Sequence, residues 1–138
     1  MKYPAVRDVE RVGSYDASAM AGGGYVWDEV LEYRVWCSPA AGAADECDGD
    51  DYYYAFASGE EALECSAATA GAEPPLALIL QREYIDEPEP GKYAHIRKER
   101  IAEWPLEFLA RPRRTDSTIP DFLASDAPNR LDILRGLA

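Results

Sequence analysis

The chain has 138 residues, a formal net charge of −12 and a hydrophobic fraction of 47%. That length suits one domain that buries a core without staples, and that composition excludes disorder as the global state. The negative field repels nucleic acid at long range, which excludes a duplex or single strand as the default partner.

Residues 1–24 read as an irregular segment that ends in AMAGGGY. Three consecutive glycines predict a flexible or sharply turned stretch. A phosphate cradle there would need a strand before it and a helix after it, and WDEVLEYRV instead reads toward a strand. VLEYRVWC, residues 30–37, predicts that strand, with Leu31, Tyr33, Val35 and Cys37 on one face and Glu32, Arg34 and Trp36 on the other. DECDGDDYYYAF follows at 45–56. In an EF-hand register with Gly49 at the sixth position, Ala44 and Ala55 fall on two of the ligand positions. The acids therefore predict a solvated loop turned by Asp48-Gly49, and YYYAFA, residues 52–57, a second strand.

SGEEALECSAAT predicts a helix at about 58–69. Ser58 caps it, Glu61 completes a capping box, Ala62, Cys65 and Ser66 with Leu63 form the inner stripe, and Gly71 stops it. LALILQRE, residues 76–83, predicts a buried strand. IDEPEPGK reads as a turn region because of its two prolines and glycine. Short strands are predicted at 93–98 and 100–104, and a helical turn after Pro105. RPRRTDSTIPDFLASDAP carries three prolines and no clear period, which predicts an extended surface arm. NRLDILRGL predicts a C-terminal helix with Leu131, Leu134 and Leu137 on one side.

The order of these elements predicts a single small α+β domain with a mainly antiparallel sheet. Its core is expected at 25–110, with the arm and helix of 111–138 packed on the same domain. The odd set Cys37, Cys47 and Cys65 contains no CxxC and fits reduced thiols in a cytosol. The first residues lack an apolar leader core, and no stretch approaches the roughly 18 apolar residues of a spanning helix. A cytoplasmic protein without a membrane contact is expected, with no metal.

Residues 1–91 hold 5 Lys/Arg against 19 Asp/Glu, while residues 92–138 hold 9 against 7. A basic partner would be drawn to the acidic part, although solubility accounts for the same charge. Arg34 sits between Glu32 and Trp36, where it can pair with a carboxylate, stack on the indole or meet an anionic ligand. RPRR, with Arg111, Arg113 and Arg114, is a compact basic patch that could hold a phosphate or an acidic partner. His95, the sole histidine, reads as an exposed strand residue beside Tyr93 and Arg97. No cysteine spacing selects a nucleophile–base pair with it.

The runs GGGYVWDEVLEYRVW, DYYYAFASGEEALE, LALILQREYIDEPEPGKY and RIAEWPLEFLARPRR resemble a small family of bacterial proteins often catalogued as GCN5-family N-acetyltransferases. The resemblance extends from about Val12 to Leu137. It implies acetyl-CoA as cofactor and transfer of an acetyl group to an amine. That superfamily holds the acetyl-CoA pyrophosphate on an R/Q-x-x-G-x-G/A loop at a helix start. This chain has FASGEEALE at its helix start, with Glu60 and Glu61 where phosphate would sit, so no catalytic residue carries across. A looser likeness is to ADP-ribosyltransferase-type domains, in which EYRVW, AFAS and Glu103 would surround NAD.

These readings together lead to the expectation of a non-catalytic accessory or binding protein that contacts a protein partner or a small ligand, with no tightly bound cofactor. The contact surface is expected on the tyrosine-rich sheet face, with Arg34, Trp36, Tyr53 and Ser58, and on the arm, with Arg111, Arg113 and Arg114.

Overall fold

Glu29–Cys37 (β1), rich in β-branched and aromatic residues, forms one of the two inner strands of the main sheet. In the computed structural model, which describes residues 2–19 and 22–136, β1 pairs antiparallel with Tyr52–Phe56 (β2) and Leu76–Gln81 (β3). Arg100–Pro105 (β6) pairs antiparallel with β3, which gives the order β2-β1-β3-β6. Tyr84–Glu89 (β4) and Lys92–Ile96 (β5) form a separate hairpin. The helices are Gly59–Ala68 (α1), Thr118–Ala124 (α2) and Arg130–Leu134 (α3), and 3-10 turns cover Val9–Arg11, Pro39–Ala41 and Leu106–Ala110. The protein is therefore an α+β domain with a mostly antiparallel sheet. No helix among the described residues is long and apolar enough to cross a membrane.

A register shift between Val30 and Glu32 inserts Leu31 as an extra residue in β1. Strict alternation puts Leu31 with Tyr33, but the bulge turns it to the opposite side, where it packs on Leu78 and Leu80. Tyr33, Val35 and Cys37 stay on the face that holds the main core with Ile79, Ala102 and Trp104. Tyr3, Val6, Trp27, Ala62 of α1, Leu106 and Leu109 cover that face.

Tyr33 is buried in this core, and its hydroxyl donates to the Pro4 carbonyl. Burial first, then the charge of Glu60, pushes the phenol well above its ordinary 10.0. On raising the pH the unfolded chain loses this proton first. The stability is thus complete below about pH 10 and declines above it, by up to about 1.4 kcal/mol per pH unit for one group. Tyr33→Phe is expected to cost about 1 kcal/mol near neutrality and to reduce the alkaline slope in urea melts. An unchanged slope would remove Tyr33 as its source.

The cap of α1 forms as its sequence predicts: Ser58 Oγ accepts from Glu61 N at 3.1 Å. The inner face is narrower than expected, with Gly59 and Ala62 buried and Leu63 41% exposed. Gly71 follows the helix with φ +75, and a Cβ there would lie 2.1 Å from Ala43 N, so both backbone angle and space require glycine.

Two expectations from proline content are corrected. IDEPEPGK is not only a turn, because β4 runs through Pro88 and the reversal is confined to Pro90 and Gly91. A two-stranded hairpin tolerates proline at a position whose N–H has no partner strand. The arm at 111–128 is not wholly extended, since α2 carries Pro120 in its first turn, where no intrahelical N–H is required. Ile119 and Phe122 of α2 join Ile85, Val26 and Leu134 in a second core that clamps the hairpin. A two-stranded hairpin is marginal alone, so this packing is what makes it persist. Leu137, expected on the apolar side of the last helix, lies outside the described residues, as do Met20 and Ala21 of the irregular segment.

The glycine triplet is neither left-handed nor open. A Cβ at Gly22 would lie 2.5 Å from Arg100 Nη2, one at Gly23 2.7 Å from Leu134 Cδ1, and one at Gly24 2.4 Å from Phe108 Cδ2. Close approach of three different neighbours accounts for the run, and the expected turn is present at Gly24–Tyr25.

Candidate functional site

On the sheet face opposite the main core, Arg34 is completely buried. Its Nε donates to Glu32 Oε2 at 2.6 Å, Nη1 to Glu103 Oε2 and to Ala17 O, both at 3.2 Å, and Nη2 to Asp16 O at 2.6 Å. The second oxygen of Glu32 accepts from Gly13 N at 2.8 Å. The guanidinium stacks on Tyr53, at 4.4 Å from the ring centroid, and Trp36 Nε1 donates to Glu103 at 2.8 Å. Trp36 and Tyr53 are cross-strand partners whose rings pack at 4.8 Å. Arg34, Trp36, Tyr53 and Glu103 are thus brought together beneath the chain at 13–17. Four donor directions of Arg34 already end on protein oxygens, so it serves as a rivet between the sheet and that segment. Ser58 stands apart at the start of α1, where its hydroxyl is engaged with Glu61. Glu60 accepts from Tyr3 N at 3.3 Å, so the head of α1 is filled by its own side chains and the first residues.

The RPRR run divides. Arg114 N donates to Trp27 O at 2.9 Å, and its guanidinium meets Asp28 Oδ1 at 2.8 Å and Glu83 Oε2 at 2.9 Å. Asp28 is buried and also accepts from Arg82 N at 2.7 Å. Arg111 lies over the Tyr25 ring at 5.1 Å, and its carbonyl accepts from Trp27 Nε1 at 3.0 Å. Arg113 is more exposed, over Trp27 at 5.2 Å and 3.8 Å from Glu29 Oε2. His95, read from alternation as exposed, is a correction: its side chain is 17% exposed and faces Glu83 Oε1 at 3.4 Å. The hairpin's packing on α2 supplies that cover, which strand alternation alone cannot report.

The acidic loop turns at Asp48 and Gly49, both with left-handed φ, and Gly49 N donates to Asp45 Oδ1 at 2.6 Å. Among the described residues no group of three His, Cys, Asp or Glu side chains is placed to hold a metal ion. Tyr54 donates to Glu46 at 2.7 Å, which pushes its phenol upward. Cys37 is buried in the main core, Cys65 packs against that core and lies beside Thr69, and Cys47 is exposed.

Two clefts lie elsewhere, around Arg100. One cleft of about 450 Å³ is bounded by Ser18, Ala19, Glu99, Arg100 and Ile101. A second, of about 330 Å³, lies between Gly22–Gly23, the β4 strand, Arg100 and α3. Arg100 borders both. Its Nε donates to Gln81 Oε1, and its guanidinium lies 3.7 Å from the centroid of the Tyr84 ring. Gly22 closes on that guanidinium. Gln81 is itself buried and fixed by donation to Val26 O at 2.6 Å. Burial lowers the Arg100 pKa, and the charges of Tyr84 and Asp86 act the other way. Among the described residues no carboxylate forms an ion pair with it, in contrast to Arg34 and Arg114.

Sequence reasoning missed Arg100 because it sits in RKER, where it looks like one of several solvated cations. Its alternation with Ala102 and Trp104 was a signal for placement, but the stacking partner Tyr84 is brought in only by the hairpin. No protein-family model, no curated protein and no solved structure matches the chain.

Proposed function

We propose that this chain is a non-catalytic binding protein that takes a small anion-bearing ligand at the Arg100 guanidinium. One observation carries the reading. Arg34 is buried and Arg114 partly buried, each with carboxylates bonded to it, whereas Arg100, also partly buried, is held by an amide and a ring and presents its Nη atoms without a carboxylate among the described residues. A guanidinium fixed at Nε and stacked on an aromatic ring is pre-organised for a planar anion, so little conformational freedom is lost on binding. The head of α1, where acetyl-CoA pyrophosphate would have to sit, is occupied by Ser58, Glu60 and Tyr3. That favours ligand binding over acyl transfer. Around Arg34 the same argument disfavours an NAD site, since its donors end on Glu32, Glu103 and the backbone.

Thermal unfolding with a panel of small carboxylates and phosphates, and with acetyl-CoA and NAD alongside, tests this. A ligand at a hundred times its dissociation constant adds about 2.7 kcal/mol, or roughly 10 °C in a domain of this size. At least one small anion is expected to raise the midpoint, and Arg100→Ala is expected to abolish that shift. Stabilisation by acetyl-CoA or NAD that survives Arg100→Ala would replace this reading with the corresponding transferase. No shift with any small anion would also overturn it.

A further inference from the structure

The smaller of the two clefts carries more chemical detail than the anion alone. Its volume of about 330 Å³ is at the low end of the roughly 300–1,000 Å³ of ligand pockets, so the ligand is small. Ile85, Leu131 and Leu134 give it an apolar side. Asp86 and Glu87 of β4 bring negative charge, and Arg100 and Arg135 bring positive charge. Among the described residues none of these four forms an ion pair with another, although Asp86 is near enough to Arg100 to act on its charge. Glu87 uses one oxygen to accept from Gly91 N at 3.1 Å, and Asp86 stands on the exposed side of the hairpin.

A simple anion drawn to Arg100 meets Asp86 and Glu87 at the same mouth. A simple cation meets the two arginines. An apolar molecule leaves every charge in the cleft without a partner, at a desolvation cost. A molecule with a carboxylate and an ammonium on one carbon meets both signs at once, and an apolar substituent on that carbon meets the leucines.

Resting on the Arg100 reading above, we infer that this cleft binds a free α-amino acid with an apolar side chain. The carboxylate sits on the Arg100 guanidinium, the ammonium faces Asp86 and Glu87, and the side chain lies against Leu131 and Leu134. Gly22 and Gly23 complete the lining and pack against Arg100 and Leu134, which a Cβ at either position would strike.

Calorimetric titration of the full chain with L-leucine tests the inference, with leucinamide and N-acetyl-leucine as compounds that lose one charge each. Leucine is expected to bind, and each derivative to bind about 10- to 100-fold more weakly, as for loss of one charged hydrogen-bonded group. Asp86→Asn, at an exposed position that leaves folding intact, is expected to weaken leucine but not N-acetyl-leucine. Arg100→Lys, which keeps the charge but not the fork, is expected to weaken leucine and N-acetyl-leucine alike. N-acetyl-leucine binding as tightly as leucine, with loss in Arg100→Lys, would overturn the amino-acid inference and leave the anion cleft standing. No heat from any of the three compounds would overturn the inference as well. The wider anion panel would then decide separately whether Arg100 binds anything.

Discussion

Arg34→Leu is expected to destabilise the protein by about 3–5 kcal/mol, the cost of leaving a buried partner charge unpaired. Glu32 has no exposed side-chain surface, and after the substitution it keeps only the Gly13 amide. Glu103 retains Trp36 but loses its cation, and the carbonyls of Asp16 and Ala17 lose their donors. Against a total of roughly 5–15 kcal/mol for a domain, this is about a fifth or more of the stability. Replacing Glu32 by leucine as well is expected to recover part of the loss, because a buried pair exchanged for apolar residues of similar volume is often close to neutral. Urea melts of the two singles and the double close the cycle. A loss below about 1 kcal/mol in the Arg34 single would mean that the pair is not what ties the N-terminal segment to the sheet. Ligand binding at Arg100 is expected to survive, since among the described residues the two guanidinia share no hydrogen-bond partner.

The second large effect falls in the RPRR run. Arg114→Met is expected to cost about 3 kcal/mol, at the lower end for breaking a buried pair because Glu83 is partly solvated. Asp28 would keep the Arg82 amide and only the distant, exposed Arg82 guanidinium at 3.9 Å. Arg114 also ties Trp27–Asp28 of the main sheet's flank to Glu83 at the head of the hairpin. Hydrogen exchange should therefore rise first in β4 and β5. Arg113→Ala, one residue away, is expected to cost less than about 1 kcal/mol, as for a loose exposed pair. Equal losses at both positions would show that the run acts by total charge rather than by one buried contact.

Much of the fold is legible in the chain. β1, β2 and β6 announce themselves by β-branched and aromatic residues in short runs, β3 by its continuous apolar run, and α1 by the Ser58–Glu61 cap. These are local properties, set by backbone sterics and by hydrogen bonds within a few residues. The hairpin and α2 were harder to read because Pro88 and Pro120 fall in positions where proline is harmless, and harmlessness depends on whether a neighbour needs the missing N–H. The side of Leu31 depended on a bulge, which is a property of two strands rather than one.

The candidate sites divide in the same way. The pairing of Arg34 with Glu32 follows from their spacing of two on one strand, so the sequence alone was enough to place them on one face. The company of Tyr53 and Glu103 needed the antiparallel register of three strands. That Arg114 meets two carboxylates while Arg100 pairs with none among the described residues is not written in RPRR or RKER at all. Asp28 and Glu83, far apart in the chain, reach Arg114, while Arg100 is met by Gln81 and Tyr84 instead. The sequence by itself determined the α+β class, the order of its main elements and the acidic character of the surface, because composition, periodicity and capping act over short range. Only the tertiary structure decided which charges neutralise one another and which face a cleft, because charge pairing depends on distance in space and not on separation along the chain.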